Sequence, residues 1–290
     1  MYLVDISPVA AVSVSGLQKS YGSYEALRGI DFEIAAGEVF GLLGPNGAGK
    51  TTTVEILEGY RKRDGGAVAV LGEDPQRAGL EWRERIGIVL QSSSLYPNLT
   101  VAESLALFGG YYRAPLDVDR VIALIGLEEK RDARARTLSG GQKRRLDLGL
   151  GLIGDPDVLF LDEPTTGFDP AARRAAWDVI RSLRSLGKTI LLTTHYLDEA
   201  ESLADRVAVL REGRIAAIGR PEDLTGAAPA TEIRHRLNGK DVVVSTHEPT
   251  RVLHELTSAA LAEGRELENL SVRRPTLEEI YLALTEDEPE

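Results

Sequence analysis

Val39-Phe40-Gly41-Leu42-Leu43-Gly44-Pro45-Asn46-Gly47-Ala48-Gly49-Lys50-Thr51-Thr52 is the stretch whose reading decides the fold. A nearly continuous apolar run meets a loop with three glycines, and helix-compatible sequence follows from Lys50 to about Tyr60. An apolar run of this kind predicts a strand buried on both faces, as in a parallel sheet. The loop fits the pattern G-x-x-x-x-G-K-[ST]. Glycines let the backbone wrap so that its N–H groups point inward at phosphate oxygens, and the helix that follows adds its positive end. Lys50 would then reach the β and γ phosphates, and the Thr51 hydroxyl would hold Mg²⁺. The plain alternative is a glycine-rich turn with no ligand. The buried strand before it and the helix after it weigh against that reading.

Outward from this loop, three more stretches read as strands that end on polar residues. Val158-Leu159-Phe160-Leu161 reads as a second buried strand and stops at Asp162-Glu163-Pro164. Open parallel sheets bind ligands at such strand ends. Asp162 would hold Mg²⁺ through water and Glu163 would polarise an attacking water. Two adjacent carboxylates repel unless a cation or a proton relieves them, and a neighbouring metal–phosphate site supplies that relief. The strand Thr189–Thr193 leads to His195, placed for a contact to the γ-phosphate. The strand Ile86–Leu90 leads to Gln91, which is neutral and so is assigned to Mg²⁺ or water positioning rather than proton transfer.

A second candidate anion cradle lies at Leu138-Ser139-Gly140-Gly141-Gln142, where Ser139 is a good N-cap and the glycines expose backbone N–H groups. Lys143, Arg144 and Arg145 follow at once. Cations in the first turns of a helix oppose its dipole at about 0.3–1 kcal/mol each, and a bound anion would reverse the sign. A solvated basic turn is the alternative on these residues alone. One phosphate loop already covers the phosphates from one side, so a second cradle could complete a site on another copy of the chain.

Strands and helices alternate through most of the sequence, which predicts an α/β fold around a mixed sheet with an antiparallel part. A helical insert is expected at about 95–155. Thr100 with Glu103 forms a capping-box pattern, and Leu116 or Asp117 opens a second helix that ends at Gly126. Pro170 begins a long helix to about Leu186, and residues 207–218 read as a hairpin. After Leu224 the composition shifts to a Thr-Gly-Ala-Ala-Pro-Ala linker, so the expected division is 1–225 and 226–290. The second part reads as a small α+β domain with a strand at Val242-Val243-Val244, helices at 250–263 and 277–284, and a frayed acidic tail.

Composition narrows the function classes. The 290 residues carry a net charge of −11, which argues against a non-specific grip on DNA or RNA. With no cysteine, disulfides and thiolate metal sites are excluded. The start lacks a basic region followed by an apolar core, and no apolar stretch approaches the roughly 20 residues that span a bilayer. A cytoplasmic chain that reaches a membrane only through a partner is expected.

Together these residues resemble the nucleotide-binding subunit of ABC transporters, over about Val12 to Leu224. Gly44 to Thr52 matches Walker A, Gln91 the Q-loop, Leu138 to Gln142 the family signature, and Asp162-Glu163 the end of Walker B. Thr166-Gly167-Phe168-Asp169 is similar to the D-loop, with Phe168 where leucine is usual. His195 matches the switch histidine, and Tyr21 in Lys19-Ser20-Tyr21-Gly22 the aromatic that stacks on adenine. The signature continues into Lys143-Arg144-Arg145 where glutamines are common. The resemblance implies an ATPase that uses ATP and Mg²⁺ and works as a head-to-tail dimer. Each ATP would lie between Walker A of one copy and Ser139, Gly140, Gly141 and Gln142 of the other. Leu57 to Gly66 and Arg274 to Leu284 resemble bacterial drug- and antibiotic-resistance exporters, whose permease is a separate membrane polypeptide. Tyr96, Pro97 and Leu99 are candidate permease contacts, with burial in the insert the alternative. The competing reading is a soluble ABC ATPase acting on translation or DNA repair. Against it stand the single cassette, the acidic charge and the lack of a heptad run; no nucleic-acid partner is expected.

Overall fold

Two long strands, β1 (Ala10–Tyr21) and β2 (Tyr24–Ala35), pair antiparallel across a tight turn at Gly22 and Ser23. The structure is a computed structural model that describes residues 10–91, 95–224, 231–237 and 240–273. The chain divides into two compact units, Met1–Ile218 and Gly219–Glu290. In the first, β3 (Val39–Leu43) runs into α1 (Lys50–Leu57), and β4 (Gly65–Val70) joins the far side of β1 to make an antiparallel sheet of order β2-β1-β4. A short helix, α2 (Leu80–Glu84), precedes β5 (Ile86–Val89). The insert supplies α3 (Val101–Gly109), α4 (Val118–Leu124) and α5 (Gly140–Leu152). Then come β6 (Val158–Asp162), α6 (Pro170–Ser185), β7 (Thr189–Thr194), α7 (Leu197–Leu203), β8 (Arg206–Arg211) and β9 (Arg214–Gly219).

The six-stranded sheet has the order β5-β6-β7-β3-β8-β9. Its first five strands are parallel, with Asp162 beside Thr193 and Leu43 beside Thr194 in register. β8 and β9 are joined by Glu212 and Gly213, both with positive φ (48° and 73°), the backbone a two-residue hairpin turn needs.

Side-chain alternation sorts the interior into two layers. Val158 and Phe160 of β6, Phe40 and Leu42 of β3 and Leu191 of β7 face the antiparallel sheet, α1 and Trp82. Leu159 and Leu161, Val39, Ile190 and Leu192 face the opposite way, toward α3 to α7. This explains why β3, β6 and β7 are buried along their whole length and carry few polar residues, threonines in β7 and Asp162 at the end of β6. Each fully buried side chain of this size stabilises the fold by roughly 1.5–3 kcal/mol. Phe32 of β2 stacks on Phe40 at 5.4 Å between ring centres and ties the two sheets together.

Local chemistry sets the helix starts in the insert. The Thr100 hydroxyl accepts from the Glu103 amide (3.1 Å) while the Glu103 carboxylate accepts from the Thr100 amide (2.8 Å). Asp117 caps α4 through the Arg120 amide, and Asp169 caps α6 through the amides of Ala171 and Ala172. The helix α2 lies outside the sequence expectations. It carries Trp82, whose indole N–H donates to the Val70 carbonyl at 2.8 Å inside the core.

In the second unit, α8 (Pro221–Leu224) precedes a sheet of order β11-β10-β12, built from β10 (Thr231–Leu237), β11 (Lys240–Thr246) and β12 (Glu268–Arg273). α9 (Pro249–Ala262) packs on β10, where Ile233 is fully buried. The linker expected at 225–230, the helix expected at 277–284 and the acidic tail lie outside the described residues.

Candidate nucleotide site

The loop between β3 and α1 is shaped by its glycines. Gly49 holds φ 110°, and a Cβ there would sit 2.8 Å from the Ala26 carbonyl oxygen. A Cβ on Gly44 would lie 2.4 Å from the Leu210 carbonyl oxygen. β-carbons are barred at both positions, so the loop wraps tightly against β2 and β8. Gly49 is the N-cap of α1 and no side chain caps that helix, so its first amides remain open to a ligand. Lys50 is buried and its Nζ donates to the carbonyls of Gly44 (2.7 Å) and Pro45 (3.2 Å). Burial pulls the Lys50 pKa down, and the carboxylates of Glu163 and Asp162 push it back up.

A cleft of about 390 Å³ opens over this loop. It brings together Tyr21, Asn46, Gly47, Gly49, Lys50, Thr51, Thr52, Gln91 and Glu163, along with Tyr24 and Ala26. Pro45 and Ala48 belong to the loop backbone, where the Ala48 amide bonds the Pro45 carbonyl at 3.2 Å. The Tyr21 hydroxyl stands 3.5 Å from the Thr52 hydroxyl. Its ring carries the Arg61 guanidinium at 5.2 Å and the Lys19 ammonium at 5.5 Å. Tyr24 was not among the residues singled out from the sequence. It is paired with Tyr21 across the two-residue turn, and its hydroxyl donates to the Gly47 carbonyl at 3.0 Å.

Glu163 is the hub of the opposite wall. Its carboxylate accepts from Gln91 Nε2 at 2.8 Å and from the Thr166 hydroxyl at 3.1 Å, and its Oε1 lies 3.3 Å from His195 Nδ1. Three loops, leaving β5, β6 and β7, thus meet on one carboxylate. Glu163 holds φ 45°, a left-handed backbone that costs a non-glycine residue about 1–2 kcal/mol. Its amide donates to the hydroxyl (3.0 Å) and carbonyl (3.2 Å) of Thr193, which partly offset that cost. The same Thr193 hydroxyl donates to Asp162 Oδ1 at 2.5 Å, so one β7 side chain fixes both acids. Farther back, buried Glu199 accepts from the Thr165 hydroxyl (2.8 Å) and the Trp177 indole (3.0 Å). Burial raises its pKa while these bonds and one from Thr194 oppose the shift. Nothing local in the sequence marks Thr193 or Glu199; the only signal is a threonine at the carboxyl end of a buried strand.

Ser139, Gly140, Gly141 and Gln142 do not line this cleft. They form the first turn of α5, where the Gln142 amide donates to Ser139 Oγ (3.3 Å) and the Ser139 amide donates to Gln142 Oε1 (2.9 Å). One expectation is corrected here. From the sequence, Lys143, Arg144 and Arg145 are cations that oppose the dipole at a helix start, with either a bound anion or solvent to relieve them. Two of them turn inward to backbone carbonyls instead. Arg145 Nη1 donates to the carbonyls of Ile125 (3.2 Å) and Gly126 (2.6 Å). Arg144 is buried and donates to the carbonyls of Leu90, Asp162, Glu163 and Pro164. These acceptors relieve the charge without a ligand.

A buried strand, a glycine loop, an uncapped helix and a carboxylate-bearing strand two places along the same sheet define a P-loop nucleotide-binding protein. The ABC transporter family profile matches residues 27–166. The Nod factor export ATP-binding protein I of Paraburkholderia xenovorans is 47% identical over 222 residues, covering 75% of this chain and 73% of that protein. The daunorubicin resistance ATP-binding protein DrrA3 of Streptomyces coeruleorubidus is 39% identical over 305 residues, covering 96% of each. Among solved structures, cbiO1 from Clostridium perfringens, part of the ABC transporter complex cbiONQ, superposes with a TM-score of 0.68 at 32% identity, covering 75% of this chain and 91% of that one. The chain belongs to the ATP-binding proteins of the ABC transporter family, and it is an ATPase of that family.

Proposed function

We propose that this chain is the ATP-hydrolysing motor of an exporter whose membrane-spanning permease is a separate polypeptide. The observation that carries the hydrolytic part is the convergence of Gln91, Thr166 and His195 on the Glu163 carboxylate, beside the phosphate loop. Export is supported by the relatives, two of which are named for Nod factor export and daunorubicin resistance. No helix among the described residues is long and apolar enough to cross a membrane, consistent with a peripheral subunit held at the cytoplasmic face by its permease.

In this reading Tyr21 stacks on adenine, and the backbone of Gly44 to Thr52, with Lys50, takes the phosphates. Glu163 accepts a proton from the attacking water, Gln91 orients that water, and His195 holds the γ-phosphate side. Thr51, Asp162 and Gln91 would hold Mg²⁺, which would neutralise charge between the β and γ phosphates. The donor set suits that ion: a hydroxyl, one carboxylate and an amide are hard oxygen donors. No cluster of three or more His, Cys, Asp or Glu ligands occurs among the described residues, and Mg²⁺ is typically bound by few protein groups beside phosphate and water oxygens. Ser139, Gly140, Gly141 and Gln142 would close on the γ-phosphate held by a second copy, so that ATP joins two chains and its hydrolysis releases them. The permease would dock beside Gln91 and the insert, where Tyr96 and Pro97 are exposed and Leu99 is half-buried.

Glu163→Gln tests the chemistry. The variant is expected to bind Mg-ATP and dimerise while hydrolysis falls on the order of 10²–10³-fold. A wild-type rate in that variant removes Glu163 from the mechanism. Purification from membranes tests the role: a polytopic membrane protein brought down with the chain supports export, whereas ribosomes or DNA overturn it.

A further inference from the structure

The guanidinium of Arg144 has an unusual set of partners. It lies on the second turn of α5, buried, and among the described residues its hydrogen bonds go to backbone carbonyls. Nε donates to Pro164 at 3.0 Å, and Nη2 to Asp162 at 3.0 Å and Glu163 at 3.4 Å. Nη1 donates to Leu90, the residue before Gln91. Arg144 therefore holds the backbone on both sides of the Gln91–Glu163 hydrogen bond.

We propose that Arg144 is a positioning residue for hydrolysis, fixing Glu163 and Gln91 through their backbones from the helix that carries Ser139 at its start. This rests on the reading of Glu163 as the group that activates water. Glu163 sits in a left-handed conformation, so the turn around it needs outside support to stay as it is. Thr193 supplies that support at the amide of Glu163, and Arg144 supplies it at the carbonyls of residues 162, 163 and 164. The planar fork of arginine spreads five donors wide enough to span carbonyls from two loops, whereas the three donors of a lysine ammonium radiate from one nitrogen and reach over a shorter span. Burial opposes the charge on Arg144, and Asp147, Asp162 and Glu199 nearby favour it. Maintaining a charged group here makes physical sense only where its several donors are used. Arg144 makes no hydrogen bond to the loop from Gly44 to Thr52, so ATP binding and ATP hydrolysis depend on it differently.

The test uses the full chain with Mg-ATP and three variants, Arg144→Lys, Arg144→Met and Glu163→Gln. Equilibrium titration gives the ATP dissociation constant, steady-state assays give kcat and KM, and thermal unfolding gives the folded fraction. Arg144→Met is expected to lose kcat on the order of 10²-fold and Arg144→Lys roughly tenfold, each with ATP affinity within about threefold of wild type. Amide exchange in segment 162–166 should quicken in both while the segment 44–52 stays unchanged. Wild-type kcat in both arginine variants, with Glu163→Gln inactive, overturns the proposal and leaves the assignment of Glu163 standing. Wild-type kcat in Glu163→Gln removes that assignment instead. A rate loss that merely follows the folded fraction, or that appears in KM alone, makes Arg144 structural. Failure of both arginine variants to fold counts the same way.

Discussion

The helices α1 and α5 both have glycine in or beside their first turn, and they are finished in opposite ways. α1 starts on Gly49 in a backbone that only glycine adopts readily, and no side chain caps it. α5 starts on Ser139, where Ser139 and Gln142 cap each other before any ligand arrives. The far ends differ too. α1 closes on Glu58, a buried acid at the negative end of a helix, whereas α5 closes on the buried apolar Ile153. An open helix start needs a ligand to complete it and suits tight binding. A self-capped start has a fixed shape of its own and suits recognition of a phosphate already held elsewhere. That division of labour is the physical content of the two-copy proposal.

The largest way to break the comparison is at Gly49. Alanine there needs a left-handed backbone and meets the Ala26 carbonyl, so the cradle must shift. Calorimetric titration should show Mg-ATP affinity falling on the order of 10²-fold, the scale that a displacement near 1 Å commands. Affinity kept within twofold would mean that the open start of α1 is not what holds the nucleotide.

The next effect lies at the other end of α1. Burial raises the Glu58 pKa to about 7, with Asp162 and Glu55 adding to the shift. Because the folded value exceeds the ordinary one, the stability linked to this proton is full below about 4.5 and is lost as pH rises through about 7. Glu58→Gln should therefore be more stable than wild type at pH 8, by up to about 3 kcal/mol, and equal to it near pH 4. Denaturant titrations at the two pH values check this, and a constant difference at both would show that the proton is not involved.

The smallest effect is at Ser139. Ser139→Ala removes one half of the capping box, at a cost of about 1 kcal/mol. The unfolding midpoint should drop by roughly 2–4 °C. ATP affinity of the single subunit should not change, while sedimentation should show weaker ATP-driven pairing. A fall in single-subunit affinity comparable to that of Gly49→Ala would erase the distinction between the two helix starts.

Much of this was legible in the sequence, and the reason is locality. The apolar runs at 39–43 and 158–161 and the threonine-flanked apolar stretch at 189–193 mark strands covered on both faces, and their polar terminators, Asp162, Glu163 and His195, gather at one sheet edge. The capping box at Thr100 and the N-cap at Ser139 are visible because such partners lie within one turn, although the reciprocal bond to Gln142 at Ser139 came only from the structure. Strand order is not local: nothing in β3 says that β7 and β8 will flank it. The directions of Arg144 and Arg145 were unreadable for the same reason, since their carbonyl partners lie 18 to 54 residues away. Neither could α2 be seen, as its five residues are too few to show a period and its reason for existing is the slot that Trp82 fills.

The place of β7 between β3 and β6 has a consequence for how such a chain can diverge. Neighbouring strands are about 4.8 Å apart, so the loop after β3 and the acids after β6 stand roughly 10 Å apart. The threonine and histidine at the tip of β7 fill that interval. The sheet acts as a gauge block whose width is counted in strands and cannot be stretched by editing a loop. Sequence drift on the helices can alter which neighbours the molecule accepts, while the span from anchored nucleotide to cleaved bond stays machined into the middle of the protein.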